Sequence, residues 1–114
     1  MTDENELLAR IPTDLYVGGE WRPASTGARF DVVDPSTGEP IASVADASPE
    51  DGEAALAAAH EAQRAWSRTP PRQRGELLRR AFELVTERAD EFALLMTLET
   101  VSYTHLTLPT KRIV

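Results

Sequence analysis

Apolar and polar positions change rhythm twice along this chain. From Leu15 to Val44 they come in short runs broken by Gly, Pro, Asp and Ser. Leu15-Tyr16-Val17 is apolar and β-favouring. Gly18-Gly19 supplies two residues that accept φ > 0, the requirement of a two-residue hairpin turn. Glu20-Trp21-Arg22 is the returning strand, ended by Pro23, which has no N–H for a ladder. Ser25-Thr26-Gly27 reads as a second turn and Phe30 to Asp34 as a further strand. Asp34-Pro35-Ser36-Thr37-Gly38 has the residues of a tight turn, and Ile41 and Val44 lie on the strand leaving it. The pattern predicts a succession of antiparallel hairpins.

Near Ala47 the period lengthens to that of a helix. Ser48-Pro49-Glu50-Asp51 is a helix start, with Ser48 as N-cap, Pro49 at the first helical position and acids at the positive end of the dipole. Asp51 stands at the capping-box position. The helix is expected to run to about Trp66. Ala55, Ala58, Ala59, Ala62 and Ala65 share one side of it, a face that lets a sheet or helix come close. Thr69-Pro70-Pro71 ends the connection and starts the next helix. Leu77, Leu78, Ala81, Phe82 and Val85 form its apolar stripe, continued by Ala89, Phe92, Leu95, Met96 and Leu98. That segment reads as one bent helix or two, with Asp90 as a candidate cap of the second. Residues 1–12 are a polar, acidic lead-in, read as a short helix or a frayed end.

Composition narrows the function classes. The chain has 114 residues, 41% hydrophobic and 27% charged, as in a globular domain. Its net charge of −7 argues against nucleic acid or an anionic membrane as partner, since both need a basic face. No run of 18 apolar residues spans a membrane, and the acidic start does not read as a secretory signal. A cytoplasmic location is the expectation. There is no cysteine, which removes disulfides, thiolate metal ligands and a thiol nucleophile.

Single residues carry little chemistry. His60 has no second His, Cys or spaced carboxylate to complete a metal site, and reads as an ordinary histidine. Glu50, Asp51 and Glu53 are explained by the helix dipole. Trp21 and Trp66 read as packing anchors. Arg72, Arg74, Arg79 and Arg80 are interleaved with Glu76, Glu83 and Glu87, and an i,i+4 pair such as Glu76–Arg80 makes this a mixed face, not a phosphate patch. The six glycines lie in turns or, for Gly52 and Gly75, on helices, so no glycine-rich dinucleotide fingerprint is present.

Beyond Thr100 the composition shifts. Residues 1–100 hold ten Arg, no Lys and sixteen Ala, whereas VSYTHLTLPTKRIV holds the chain's single Lys, no Ala and four Ser or Thr. This tail resembles the translation of a sequencing-adapter read-through, and residues 101–114 are read as non-native. His105 lies within it.

The phrases YVGGEW, VVDPSTGEPIASV and LLMTLET resemble the N-terminal region of the aldehyde dehydrogenase superfamily. LMTLE together with IPTDLYVGGEW is most similar to succinate-semialdehyde dehydrogenases. The resemblance covers residues 8 to 100. It implies a doubly wound α/β parent fold, of which this fragment is a mixed α+β piece: antiparallel hairpins, then two or three helices. It favours a helix break near Arg88 and assigns residues 13–100 to the opening of an NAD(P)-binding domain. It also implies, for the complete enzyme, a cysteine thiolate that attacks the aldehyde, NAD or NADP as hydride acceptor, and a glutamate-activated water that releases the acid. The substrate would be succinate semialdehyde, from 4-aminobutyrate breakdown, or another aldehyde, and the parent a homo-oligomer. A stand-alone interaction module is the reading from a different class.

No catalytic or cofactor-binding residue is placed on this chain by the resemblance, and neither nucleotide is expected to bind it alone. One site is carried over. The resemblance implies a structural monovalent cation, held in several aldehyde dehydrogenases between a carboxylate just before a Gly-Lys-Pro motif and backbone carbonyls from the strand preceding the Asp-Pro turn. Glu99 matches the first, and Val32 and Asp34 fall in the second. The expected Gly-Lys-Pro is replaced by Val101-Ser102-Tyr103.

Overall fold

The computed structural model describes residues 3–100; the tail read as non-native lies outside the described residues. The elements run α1 (Glu4–Arg10), β1 (Leu15–Val17), β2 (Glu20–Arg22), β3 (Arg29–Val33), β4 (Pro40–Ala45), α2 (Pro49–Arg68), α3 (Pro71–Glu87) and α4 (Ala89–Glu99). Two two-stranded sheets form, β1 with β2 and β3 with β4, giving the mixed α+β architecture expected. The chain divides into two compact units. One takes residues 12–30 and 44–87, the other residues 31–43 with the segments flanking them at both ends of the chain.

In the first unit, β1 and β2 pair antiparallel with Leu15 opposite Arg22, Tyr16 opposite Trp21 and Val17 opposite Glu20. Gly18 and Gly19 have φ of 63° and 82°. Two consecutive left-handed residues make the turn whose twist suits a hairpin, and only glycine takes both without strain. The Tyr16 and Trp21 rings meet as a tilted cross-strand pair, centroids 4.7 Å apart. The alanine face of α2 lies against this hairpin, as its spacing predicted. A Cβ added at Gly18 would sit 3.9 Å from the Ala58 Cβ. The segment before β1 is tied back by Ala45 N–H donating to the Thr13 carbonyl at 2.8 Å and by Arg29 to Asp14 at 3.0 Å.

In the second unit, the turn between β3 and β4 is built on Asp34. Its carbonyl accepts from Gly38 N at 2.8 Å, and its carboxylate accepts from the Ser36 amide and hydroxyl. The acidic lead-in is a helix, not a frayed end. Asp3 caps α1 by accepting from the Asn5 amide at 2.8 Å, and Leu7 is buried. Arg10, at the end of α1, pairs with Glu91 of α4, which also receives Arg88 at 2.9 Å.

Two local expectations are corrected. The break near Arg88 is real, but Asp90 does not cap α4. Arg88 occupies the cap position and makes no side-chain capping hydrogen bond, and Asp90 lies inside the first turn. One residue separates α3 from α4, so the chain never extends long enough there for a capping side chain to fold back. On α3, Glu76 reaches Arg79 at 3.4 Å instead of Arg80, and Arg80 turns to Glu83 and Glu87. Pairs at i,i+3 and i,i+4 are close alternatives on a helix surface, so spacing alone did not choose between them.

Candidate functional site

The densest polar constellation surrounds the start of α2. Ser48 is extended, and its hydroxyl accepts from the Asp51 amide at 3.3 Å. Asp51 answers by accepting from the Ser48 amide at 2.9 Å, completing the capping box. The same carboxylate accepts from the Ser25 amide, 3.1 Å from each oxygen, and from the Ser25 hydroxyl at 3.3 Å. The two serine hydroxyls are 2.8 Å apart. Asp51 is the buried charged residue of the described chain, 6% exposed. The amides of Ser48 and then Ser25 hold its carboxyl below the usual carboxylate range, against the opposing effect of burial. Sequence placed Ser48 and Asp51 correctly. It read Ser25 only as a turn residue, because a contact across 26 positions leaves no local signal.

This cluster is a staple and not a reaction centre. Among the described residues, the side-chain partners of the two serine hydroxyls are each other and Asp51, with no histidine or lysine among them, and Asp51 spends its lone pairs on donors. Beside it, a shallow cleft runs between the Gly18-Gly19 turn and α2, lined by Tyr16, Val17, Ala55, Ala58, Ala62 and Glu61 among others. Glu61 is its charged group. His60 is exposed on α2, as an ordinary histidine would be.

The residues carried over for a cation lie in one compact unit. Val32 is half-buried in β3, and Asp34 is half-buried at the following turn with its carboxylate committed to Ser36. Glu99 is exposed as the last residue of α4. Among the described residues, no group of three or more His, Cys, Asp or Glu gathers as a metal site.

The described residues do not fit a dinucleotide. Both sheets are hairpins, so no parallel strand leads through a glycine-rich turn into a helix. The helix start that follows a strand closely is that of α2, and the buried Asp51 carboxylate already sits there. A pyrophosphate would meet a like charge where such a site offers free amides.

A family model described as the aldehyde dehydrogenase family matches residues 21–108. This chain belongs to that family. The match extends past Thr100 into the segment whose composition departs from the rest. Among solved structures, betaine aldehyde dehydrogenase from Staphylococcus aureus in complex with NAD+ is 30% identical, with a TM-score of 0.82 over 89% of this chain and 22% of that one. HpcC from Thermus thermophilus is 34% identical, with a TM-score of 0.77 over 83% of this chain and 19% of that one. This chain thus spans about a fifth of the length of these relatives. Its hairpins and helices are the corresponding part of their fold. Among the described residues, no helix is long and apolar enough to cross a membrane.

Proposed function

We propose that this chain supplies scaffold to an NAD(P)-dependent aldehyde dehydrogenase whose complete polypeptide oxidises succinate semialdehyde to succinate. The observation that carries the reaction class is the family match over residues 21–108. The substrate rests on the likeness of LMTLE and IPTDLYVGGEW to succinate-semialdehyde dehydrogenases. A second reading, betaine aldehyde as substrate, is favoured by the relatives of known structure. The isolated chain has no thiol, so it has no nucleophile for an aldehyde carbon and is inactive alone. The complete enzyme is a cytoplasmic homo-oligomer in this reading. Residues 13–100 open its nucleotide-binding domain after a lead-in over residues 1–12, and residues 101–114 are foreign to it.

The test is to read the source locus past codon 100, express the complete reading frame, and follow aldehyde-dependent reduction of NAD+ and NADP+. Preference for succinate semialdehyde supports the first reading, and preference for betaine aldehyde replaces it with the second. Failure with every aldehyde overturns both. A codon run for Gly-Lys-Pro after Thr100 supports a foreign tail.

Glu99 with the backbone at Val32 and Asp34 forms a structural monovalent-cation site in the complete enzyme, a set of oxygen ligands suited to a hard ion. Thermal stability of the complete enzyme should then be higher in potassium than in tetramethylammonium, and Glu99→Gln should erase the difference. An unchanged difference in Glu99→Gln would remove Glu99 from the site.

A further inference from the structure

α3 divides its residues between two sides. With the helical repeat, Leu77, Leu78, Ala81, Phe82 and Val85 share one side, and Arg72, Glu76, Arg79, Arg80, Glu83 and Glu87 the other. The polar side is self-sufficient: Arg79 pairs with Glu76 and Glu83, and Arg80 with Glu83 and Glu87. The apolar side is open, with Leu78 71% and Phe82 69% exposed. One charge breaks the division. Arg74 precedes Leu77 and Leu78 by three and four residues, Ala81 by seven and Val85 by eleven, which sets it in the middle of the apolar side.

Arg74 is half-buried, and its Nε is fully buried with no hydrogen-bond acceptor among the described residues. A buried donor without an acceptor costs stability, as does a guanidinium on an apolar face. The position adds a third cost. The Arg74 amide makes the first helical bond of α3, to the Pro70 carbonyl at 3.1 Å, so its side chain leaves the end where the helix dipole opposes a cation. A counter-charge in the finished fold offsets all three. The glutamates of α3 lie on its far side and hold Arg79 and Arg80. Residues 101–114 contain no Asp or Glu. The relatives carry about four-fifths of their length outside the part this chain matches.

We propose that Arg74 is a docking residue for the polypeptide that follows this chain in the complete aldehyde dehydrogenase. The element that covers α3 presents an Asp or Glu carboxylate to the Arg74 guanidinium, in the middle of an otherwise apolar seam. This rests on the reading of the chain as the opening of a longer enzyme. The planar guanidinium can take both carboxylate oxygens at once, so the pair sets where the covering element stands along α3. Leu78, Phe82 and Val85 supply the buried area, and the one charge pair among them supplies the register.

The test sets the complete enzyme beside the 114-residue chain. In the complete enzyme Arg74→Met should lower Tm by several degrees, and Arg74→Lys, which keeps the charge on a stem of similar length, should restore part of the loss. In the 114-residue chain, which lacks the partner, Arg74→Met should leave the helical circular dichroism unchanged or raise it. A crystal structure of the complete enzyme should place a carboxylate oxygen within roughly 4 Å of the guanidinium. Neutralising that acid should lower Tm no further once Arg74 is replaced by Met. An unchanged or raised Tm in Arg74→Met overturns the proposal, and so does an Arg74→Lys enzyme no more stable than Arg74→Met. Should Arg74→Met fail to fold, a folded Arg74→Lys supports the charge pair and an unfolded one overturns it. A matching loss in the 114-residue chain overturns it too, by placing the acceptor in this chain or a second copy. These readouts do not depend on aldehyde turnover, so a wrong substrate leaves the proposal standing. A source locus that ends at Val114 removes the longer enzyme and the proposal together.

Discussion

Asp51 joins segments that the sequence keeps 26 positions apart. Its carboxylate satisfies the amides and hydroxyls of both Ser48 and Ser25, so one side chain starts α2 and pins the loop after β2 to it. The carboxyl titrates below its ordinary range. Its contribution is therefore complete above the ordinary carboxylate range and is lost as pH falls through the depressed folded value. Protection of the Ser25 and Ser48 amides, taken as the ratio of intrinsic to observed hydrogen exchange at each pH, should fall over that acid interval, and Asp51→Asn should show low protection already at neutral pH. Unchanged protection in Asp51→Asn would remove the staple from the account. Glu91 follows the same sign, lowered first by the Arg10 guanidinium and then by Arg88. The Ser48–Asp51 half of the staple is legible in four consecutive residues. The Ser25 half is not, because nothing within a turn of Ser25 distinguishes a free hydroxyl from a bound one.

At the scale of elements, glycine position decides the sign of a substitution. Gly19 has φ of 82° with open space where a methyl would stand, so Gly19→Ala meets only backbone strain. It should weaken the β1–β2 hairpin by about 1–2 kcal/mol, read as reduced cross-strand contacts between Tyr16 and Trp21 by NMR. Gly75 lies on α3 with ordinary helical φ and equally open space. Gly75→Ala should strengthen that helix by roughly 1 kcal/mol, read as a larger helical signal in circular dichroism. Ser48→Ala should weaken α2 by about 1 kcal/mol through loss of its cap. Such local devices were readable because each is written within a few residues: Gly18-Gly19, Ser48-Pro49-Glu50-Asp51, and the Asp34 to Gly38 turn. The docking of α1 was not readable. Leu7 is buried and Arg10 reaches Glu91, a pairing across 81 positions that no local pattern announces.

At the scale of the molecule, the apolar residues are more numerous than the core that receives them. Leu7, Ala24, Ala45 and Leu98 are buried, and two of these are alanines. Leu56, Trp66, Phe82 and Met96 remain between 41% and 72% exposed. Stripes read from periodicity as core-facing are correct in their spacing, yet periodicity marks a face without saying whether this chain supplies its cover. A chain spanning a fifth of its relatives' length accounts for that mismatch. The dilute monomer should therefore lose structure gradually on heating and bind a hydrophobic dye; a sharp cooperative transition in the monomer would contradict this. The same shortfall reaches the chemistry, since hairpins and helices are present while sulfur nucleophiles are not. The most direct measurement is the absorbance of reduced nucleotide in a mixture of the pure 114-residue protein, NAD+ or NADP+, and succinate semialdehyde or betaine aldehyde. The prediction is a trace indistinguishable from the protein-free blank, and steady aldehyde-dependent formation of NADH or NADPH would contradict it.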